Sequence, residues 1–525
     1  MKGKNPGNGT HQNTGVCFPL NGQNQRSTSD FGKQVMAAAL AGVSDESAQA
    51  ILAERSWRKN YYRHAPKLTA LSSANTAHSL QIAEQGLDAV HNGFRFSRGG
   101  TEQLLSQAMD RYTESTLHTG CVEGTGAVTN RRFEMPYRGD RLSGEAFTTQ
   151  VNAWERKGII EPSCAQALRD ISTRDLATEI RGHRFALLGA SSEMGPCLTL
   201  LALGATVIAV DLDRPQIWAK LIACARELPG TLLFPMHQPY STELSDEELA
   251  ASAGANLLTE TPEIRTWLCS LPGPMTVGAY AYLDGAKHVS LAVAMDALVK
   301  AVLARDPRNA FAFMLTPTDV FAIPEETAEA SERAYARSVC GGGFPGRLRA
   351  AGRRKHMFKP NLVSRVSSDN GRQFGLIDSL VPQQGPNYNL AKNIQRWRAI
   401  VARQQGHRVS ANVAAATMTA SVTSNKLFEL GYEGCALFGI EAFEPDTNRS
   451  LMAGLLIYDM IAEESVANPD VQLDNPQELF MFGANHGGFW RTAFQVRSAL
   501  HAAVLVGVNM KAQKYLGSLW HRKKG

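Results

Sequence analysis

The 525-residue chain predicts an α/β fold built on a doubly wound parallel sheet. Three observations carry that expectation. Short β-branched and aliphatic runs alternate with amphipathic helical segments from about residue 184 onward. The stretch from Arg184 to Pro215, "RFALLGASSEMGPCLTLLALGATVIAVDLDRP", reads as strand, glycine turn, helix, strand and closing acidic residue. Hydrophobic residues make up 44 % of the chain, enough for a sizeable core.

Residues 1–30 are rich in Gly, Asn, Gln and Ser, so a disordered tail is expected. Residues 31–180 carry helical periodicity in "FGKQVMAAALAGV", "TAHSLQIAEQGLDAVHNGF" and "GEAFTTQVNAWERKGII". "EPSCAQALRDI" adds a helix opened by Pro162 and Ser163. This region predicts a mostly helical lead-in. Residues 181–340 hold the strand–helix alternation: "FALLGA", "TVIAVD", "GTLLFPM", "PMTVGAYAY" and "AFAFMLTPTDVFAIP" are the strands. Residues 341–360, glycine-rich and then basic, predict a linker or lid. Residues 361–525 predict a further α/β segment with long apolar helices in "SLMAGLLIYDMIAEES" and "TAFQVRSALHAAVLVGV".

The formal net charge of +5, from 54 basic and 49 acidic residues, is nearly balanced and gives no reason to expect nucleic acid. The basic run Arg347, Arg349, Arg353, Arg354, Lys355, His356 and Lys359 has no aromatic interleaving, and a solvated loop explains it. Eight cysteines without a CxxC pair predict reduced thiols, not a disulfide or zinc framework. No apolar run reaches the roughly 20 residues of a membrane span, and the amino-terminal residues lack a signal-peptide core. A soluble cytoplasmic protein acting on a small-molecule substrate is expected, with no metal.

The turn "LLGASSEMGP" resembles the cofactor turn of short-chain dehydrogenase/reductases, Thr-Gly-x-x-x-Gly-x-Gly. Leu188 stands at the threonine, Gly189 at the first glycine, Glu193 at the second and Gly195 at the last. Asp211 follows at the roughly 20-residue spacing of the acidic residue that binds the adenosine ribose. The resemblance implies a Rossmann-like sheet and an NAD or NADP cofactor held by Gly189, Ala190, Ser191, Ser192, Glu193, Met194, Gly195 and Asp211. Gly189 permits the turn, and Gly195 lets the helix approach the strand. Asp211 favours NAD, while Arg214 leaves room for NADP. Glu193 departs from the pattern by setting a carboxylate where phosphates lie.

The same letters are similar to the turn of S-adenosylmethionine-dependent methyltransferases. That resemblance tolerates Glu193, because the ligand is cationic, and sets Asn256 and Leu257 beside adenine at the end of a later strand. A scaffold that keeps the fold without a cofactor is the third reading.

The reductase-like family also uses a Tyr-x-x-x-Lys pair, and none is identified from the sequence. Tyr282 and Lys287 are five apart, and Tyr335 has no lysine four residues on. Tyr282 with Lys287 is the acid/base candidate after the fourth strand, Lys287 lowering the tyrosine pKa. A plain strand-to-helix loop is the competing reading. "GANHGGFWRTAF" makes His486 a proton-donor candidate beside Arg491, against a glycine-rich turn in which His486 caps a helix and Trp490 is core. Thr316, Thr318 and Asp319 follow a strand, where they contact substrate or cap a helix. The hydroxyl-rich "RVSANVAAATMTASVTSNK" allows close approach of a ligand or of a neighbouring element.

Overall fold

The protein is described by a computed structural model, covering residues 15–114, 116–128, 131–340, 357–424 and 426–522. Seven strands make the central sheet: β1 (His118–Glu123), β2 (Arg184–Leu188), β3 (Thr206–Val210), β4 (Thr231–Met236), β5 (Thr276–Ala279), β6 (Ala310–Leu315) and β7 (Val409–Val413). Their order across the sheet is β7-β6-β5-β2-β3-β4-β1. Strands β2 to β7 run parallel, and β1 closes one edge antiparallel to β4. The sheet is therefore mixed, not wholly parallel as expected.

The strands are buried on both sides, which is why they read as continuous apolar runs. Side chains alternate between two cores with the two-residue period of a strand. Ala186, Leu188, Ile208 and Val210 face one core; Phe185, Leu187, Val207 and Ala209 face the other. Six helices bear on the site: α1 (Cys197–Ala202), α2 (Ala286–Arg305), α3 (Gly385–Gln404), α4 (Lys426–Gly434), α5 (Pro445–Ile461) and α6 (Val496–Arg522). Helices α2 and α3 cover the first face through Val289, Val293, Leu390, Ile394 and Trp397. Helices α1 and α5 cover the second, with Pro162–Thr173 and Pro215–Glu227, through Leu200, Trp218, Ile222, Leu168 and Leu455.

An insertion separates β6 from α3. It holds the helix Glu325–Cys340 and a three-stranded antiparallel sheet of Val320–Pro324, Gln373–Asp378 and Leu362–Ser367. This second sheet is what the sequence left unread.

Three expectations need correction. Residues 15–17, assigned to a disordered tail, pair as a buried strand with Arg95–Ser97. The region 31–180 is not only helical: it contributes β1 and two further strand pairs. The helix after the glycine turn is only six residues, because Pro196 sits at its start and Gly204 takes φ +81° just beyond its end. The predicted linker or lid falls mostly on residues 341–356, outside the described residues. Among the described residues, no helix is long and apolar enough to cross a membrane, and Cys17, Cys121, Cys164, Cys197, Cys224, Cys269 and Cys435 are free thiols.

Candidate functional site

A cavity of about 1190 Å³ opens beyond the carboxyl ends of the parallel strands. Five of the six parallel strands deliver a wall: Gly189 after β2, Asp211 after β3, Tyr280 and Ala281 after β5, Thr316 after β6, and Ala414 to Thr417 after β7.

The glycine turn is shaped by contact. Gly189 has φ +88°, and a Cβ there would lie 2.5 Å from the Ala281 Cα. Its amide donates to the Val210 carbonyl (2.8 Å), as does that of Ala190 (3.2 Å). Asp211, only 8 % exposed, accepts the Ser191 amide on one carboxylate oxygen and the Leu212 amide on the other, both at 2.8 Å. A carboxylate has about four acceptor sites, so acceptor capacity remains for a ligand hydroxyl. Replacing Gly189 with alanine is expected to lower the thermal midpoint. Positive φ costs about 1–3 kcal/mol in a side-chain-bearing residue, and the backbone overlap adds to it. A melt indistinguishable from wild type would contradict the close approach.

Glu193 is tied to the facing segment. Its carboxylate accepts the Ala420 amide at 3.1 Å, and Arg449 of α5 donates to its backbone carbonyl at 3.1 Å. Gly195 does not serve the packing expected of it. A Cβ there would have the turn's own Ser192 and Gly189 as its nearest neighbours, at 3.2 Å from the Ser192 carbonyl and 3.8 Å from that of Gly189. Ser191, Ser192, Glu193 and Met194 line the cavity, whereas Ala190 is buried in the core. Asn256 and Leu257 line it too, but from a loop and not from a strand end. The Asn256 side chain accepts the Leu258 amide, and the preceding Ala255 amide donates to the Asp211 carbonyl.

The acid/base candidates fare unequally. Tyr282 is 51 % exposed and gives its hydroxyl to Asp284 at 2.9 Å. Burial of part of the ring and Asp284 push its pKa up, opposite to the lowering expected from Lys287. Both residues line the cavity rim. His486 is fully buried and lies outside the cavity lining. Its Nε2 pairs with Glu161 at 2.8 Å, its Nδ1 accepts the Gly488 amide, and its ring stacks on Trp490. Arg491 clamps both Glu161 oxygens at 2.8 and 2.7 Å, and Thr327 adds a hydroxyl donor. His486 is a packing residue in an ion cluster and not the helix cap of the plainer sequence reading; only the burial of Trp490 agrees with that reading. Ser410 and Asn412 likewise turn inward onto buried Asp459, while Thr417 and Thr419 line the cavity. Asp319 is buried beside Arg396.

The sequence reading missed the pair at the cavity centre. Helix α3 begins "GPNYNLAKNIQRWRAI", and Tyr388 and Lys392 stand four apart on it. Residues at i and i+4 share a helix face. Leu390, Ile394, Trp397 and Val401 anchor a neighbouring face in the core, leaving Tyr388 and Lys392 toward the cavity. Thr316, one residue past β6, lines the cavity with Tyr388 and shares a hydrogen bond with the Thr318 hydroxyl at 2.9 Å. Gln384 donates to Thr318 at 2.8 Å. The His288 ring stacks on Tyr388, centroids 5.5 Å apart at 17°. The Lys392 ammonium donates to the Met314 carbonyl and to Gln395, each at 3.0 Å, and lies 5.8 Å from the Tyr388 ring centroid.

Burial pushes the Tyr388 hydroxyl up to about 12, with the nearby Thr316 side chain working against it. Burial also draws Lys392 down to about 8; Asp319 opposes this and Arg396 adds to it. Such a pair, its ionisations displaced in opposite directions inside a cleft, suits proton transfer. The family models, the curated proteins and the solved structures compared with this chain give no match.

Proposed function

We propose that the protein is a divergent NAD(P)-linked oxidoreductase of short-chain dehydrogenase type, acting on a carbonyl or its alcohol. The observation that carries the reading is Tyr388-x-x-x-Lys392 with Thr316, set across one cavity from the glycine turn of β2. The strand order supports it: reading β4-β3-β2-β5-β6-β7 as 3-2-1-4-5-6 reproduces the order of dinucleotide-binding sheets, with the crevice at the β2/β5 switch point.

The donor set fits a dinucleotide. Gly189, Ser191 and Ser192 line the cavity at the end of β2, and Asp211 and Asn256 offer acceptors for ribose and adenine. The carboxylate of Glu193 is occupied by Ala420. When bound, the nicotinamide would supply the hydride for carbonyl reduction. Tyr388 holds the proton for the carbonyl oxygen, because at about 12 its hydroxyl stays protonated at neutral pH. Thr316 orients that hydroxyl, and the charge on Lys392 favours the phenolate left after proton release. The methyltransferase reading has no use for this pair.

Titration with NADH and with NADPH, followed by nicotinamide fluorescence, should show saturable binding that Asp211→Ala weakens at least tenfold. Absence of binding at millimolar nucleotide would remove the reading.

A further inference from the structure

The cavity is larger than one ligand needs. Sites for a single drug-sized molecule run about 300–1,000 Å³, and this one is about 1190 Å³. Its chemistry is segregated. Every charged side chain on its lining belongs to the glycine-turn side, the rim or the Tyr388 region: Glu193, Asp211, Arg214, Asp284, Lys287 and Lys392. The other end, walled by α4, α6 and the residues between them, has no charged lining residue among the described residues. Phe438, Ile440, Phe489, Phe494, Leu500 and Ala503 form it. The Thr492 hydroxyl there is spent on the Phe438 carbonyl.

That wall is fixed by backbone contact. A Cβ on Gly434 would lie 1.9 Å from the Ala503 carbonyl oxygen, and one on Gly507 would lie 2.0 Å from that of Leu430. Helices α4 and α6 therefore touch without intervening side chains, which leaves the apolar residues beside the crossing to face the cavity. An apolar space of this size, continuous with an acid/base pair, is costly to leave to water and favours an apolar occupant.

We infer that the substrate is a carbonyl compound carrying a large uncharged aliphatic chain, the chain lying in the α4/α6 chamber and the carbonyl at Tyr388 and Thr316. The carbonyl end of this inference rests on the oxidoreductase reading; the apolar end rests on the chamber alone.

The test uses the full chain and a homologous series of aliphatic methyl ketones from four to twelve carbons. Binding is measured by calorimetry without nucleotide and again with saturating NADH. Affinity should tighten with each methylene, by about two- to fourfold, until the chamber is full. Leu500→Gln and Ala499→Phe should weaken the twelve-carbon ketone at least tenfold while leaving NADH affinity unchanged. If Ala499→Phe fails to fold, Leu500→Gln decides alone. Affinity independent of chain length, or variants that bind the long ketone like wild type, would overturn the inference. Chain-length dependence with no nucleotide binding would leave the chamber standing and remove the oxidoreductase reading. Nucleotide binding with flat chain-length dependence would do the reverse.

Discussion

Tyr388→Phe is expected to lower kcat/KM for carbonyl reduction by about 10²–10⁴, the usual contribution of a positioned general acid. Nucleotide affinity and thermal midpoint should stay at wild-type values, since the ring and its stacking on His288 are kept. The pH profile separates the two members of the pair. Lys392 loses its charge near pH 8, so reduction should decline as pH rises through that value. Lys392→Arg keeps a cation and should shift the decline upward. A profile flat to pH 10 in the wild-type protein, or full activity in Tyr388→Phe, would contradict the assignment.

The largest effect on stability is expected at Glu161. Its carboxylate joins the start of Pro162–Thr173 to His486 and Arg491 in the carboxyl-terminal segment and to Thr327 in the insertion. Removing one member of such a buried cluster strands the others, at about 3–5 kcal/mol. Glu161→Ala should therefore show a markedly lower denaturation midpoint in urea. Burial alone would raise the Glu161 pKa, but the hydrogen bonds from Arg491 and His486 hold it down at about 2. The sign follows from linkage: the contribution is complete above the ordinary value of 4.5 and drains away as pH falls toward 2. Burial also lowers His486 below its ordinary 6.5, so acid works against the same cluster from that point downward. The unfolding free energy of Glu161→Gln should fall less steeply below pH 4.5 than that of the wild type. Equal slopes would refute the linkage.

The glycine turn and Asp211 were legible because their geometry is local. One strand–turn–helix–strand unit contains both, and the amide of Ser191 reaches Asp211 within it. Tyr388 and Lys392 were in plain view yet unread, because distance along the chain was counted from β6. The antiparallel insertion, with its own strands and helix, sets Tyr388 and Lys392 well beyond Tyr335. The usable signal was different: tyrosine and lysine four apart at the start of an amphipathic helix that leads directly into the next parallel strand, β7. His486 misled for a physical reason. Its glycines suggested an open loop, but a Cβ on Gly487 would lie 2.8 Å from the Glu441 carbonyl oxygen, and one on Gly488 2.3 Å from that of Gly439. Those glycines mark tight packing. Glu193 looked like an obstacle to phosphate, and no local pattern reveals its long-range tie to Ala420.

The insertion between β6 and α3 also sets the order in which a growing chain can become complete. The ribosome delivers β2 to β6 first, and these can pair as they emerge. Strand β6 then waits with an open hydrogen-bonding edge until residues 409–413 are synthesised. Such an edge invites association with other nascent chains. Ligand capture cannot rescue that interval, because the α4/α6 wall of the cavity is made only after β7. Any early protection must come from the inserted antiparallel sheet or from a chaperone, so fragments ending before β7 should be the aggregation-prone ones.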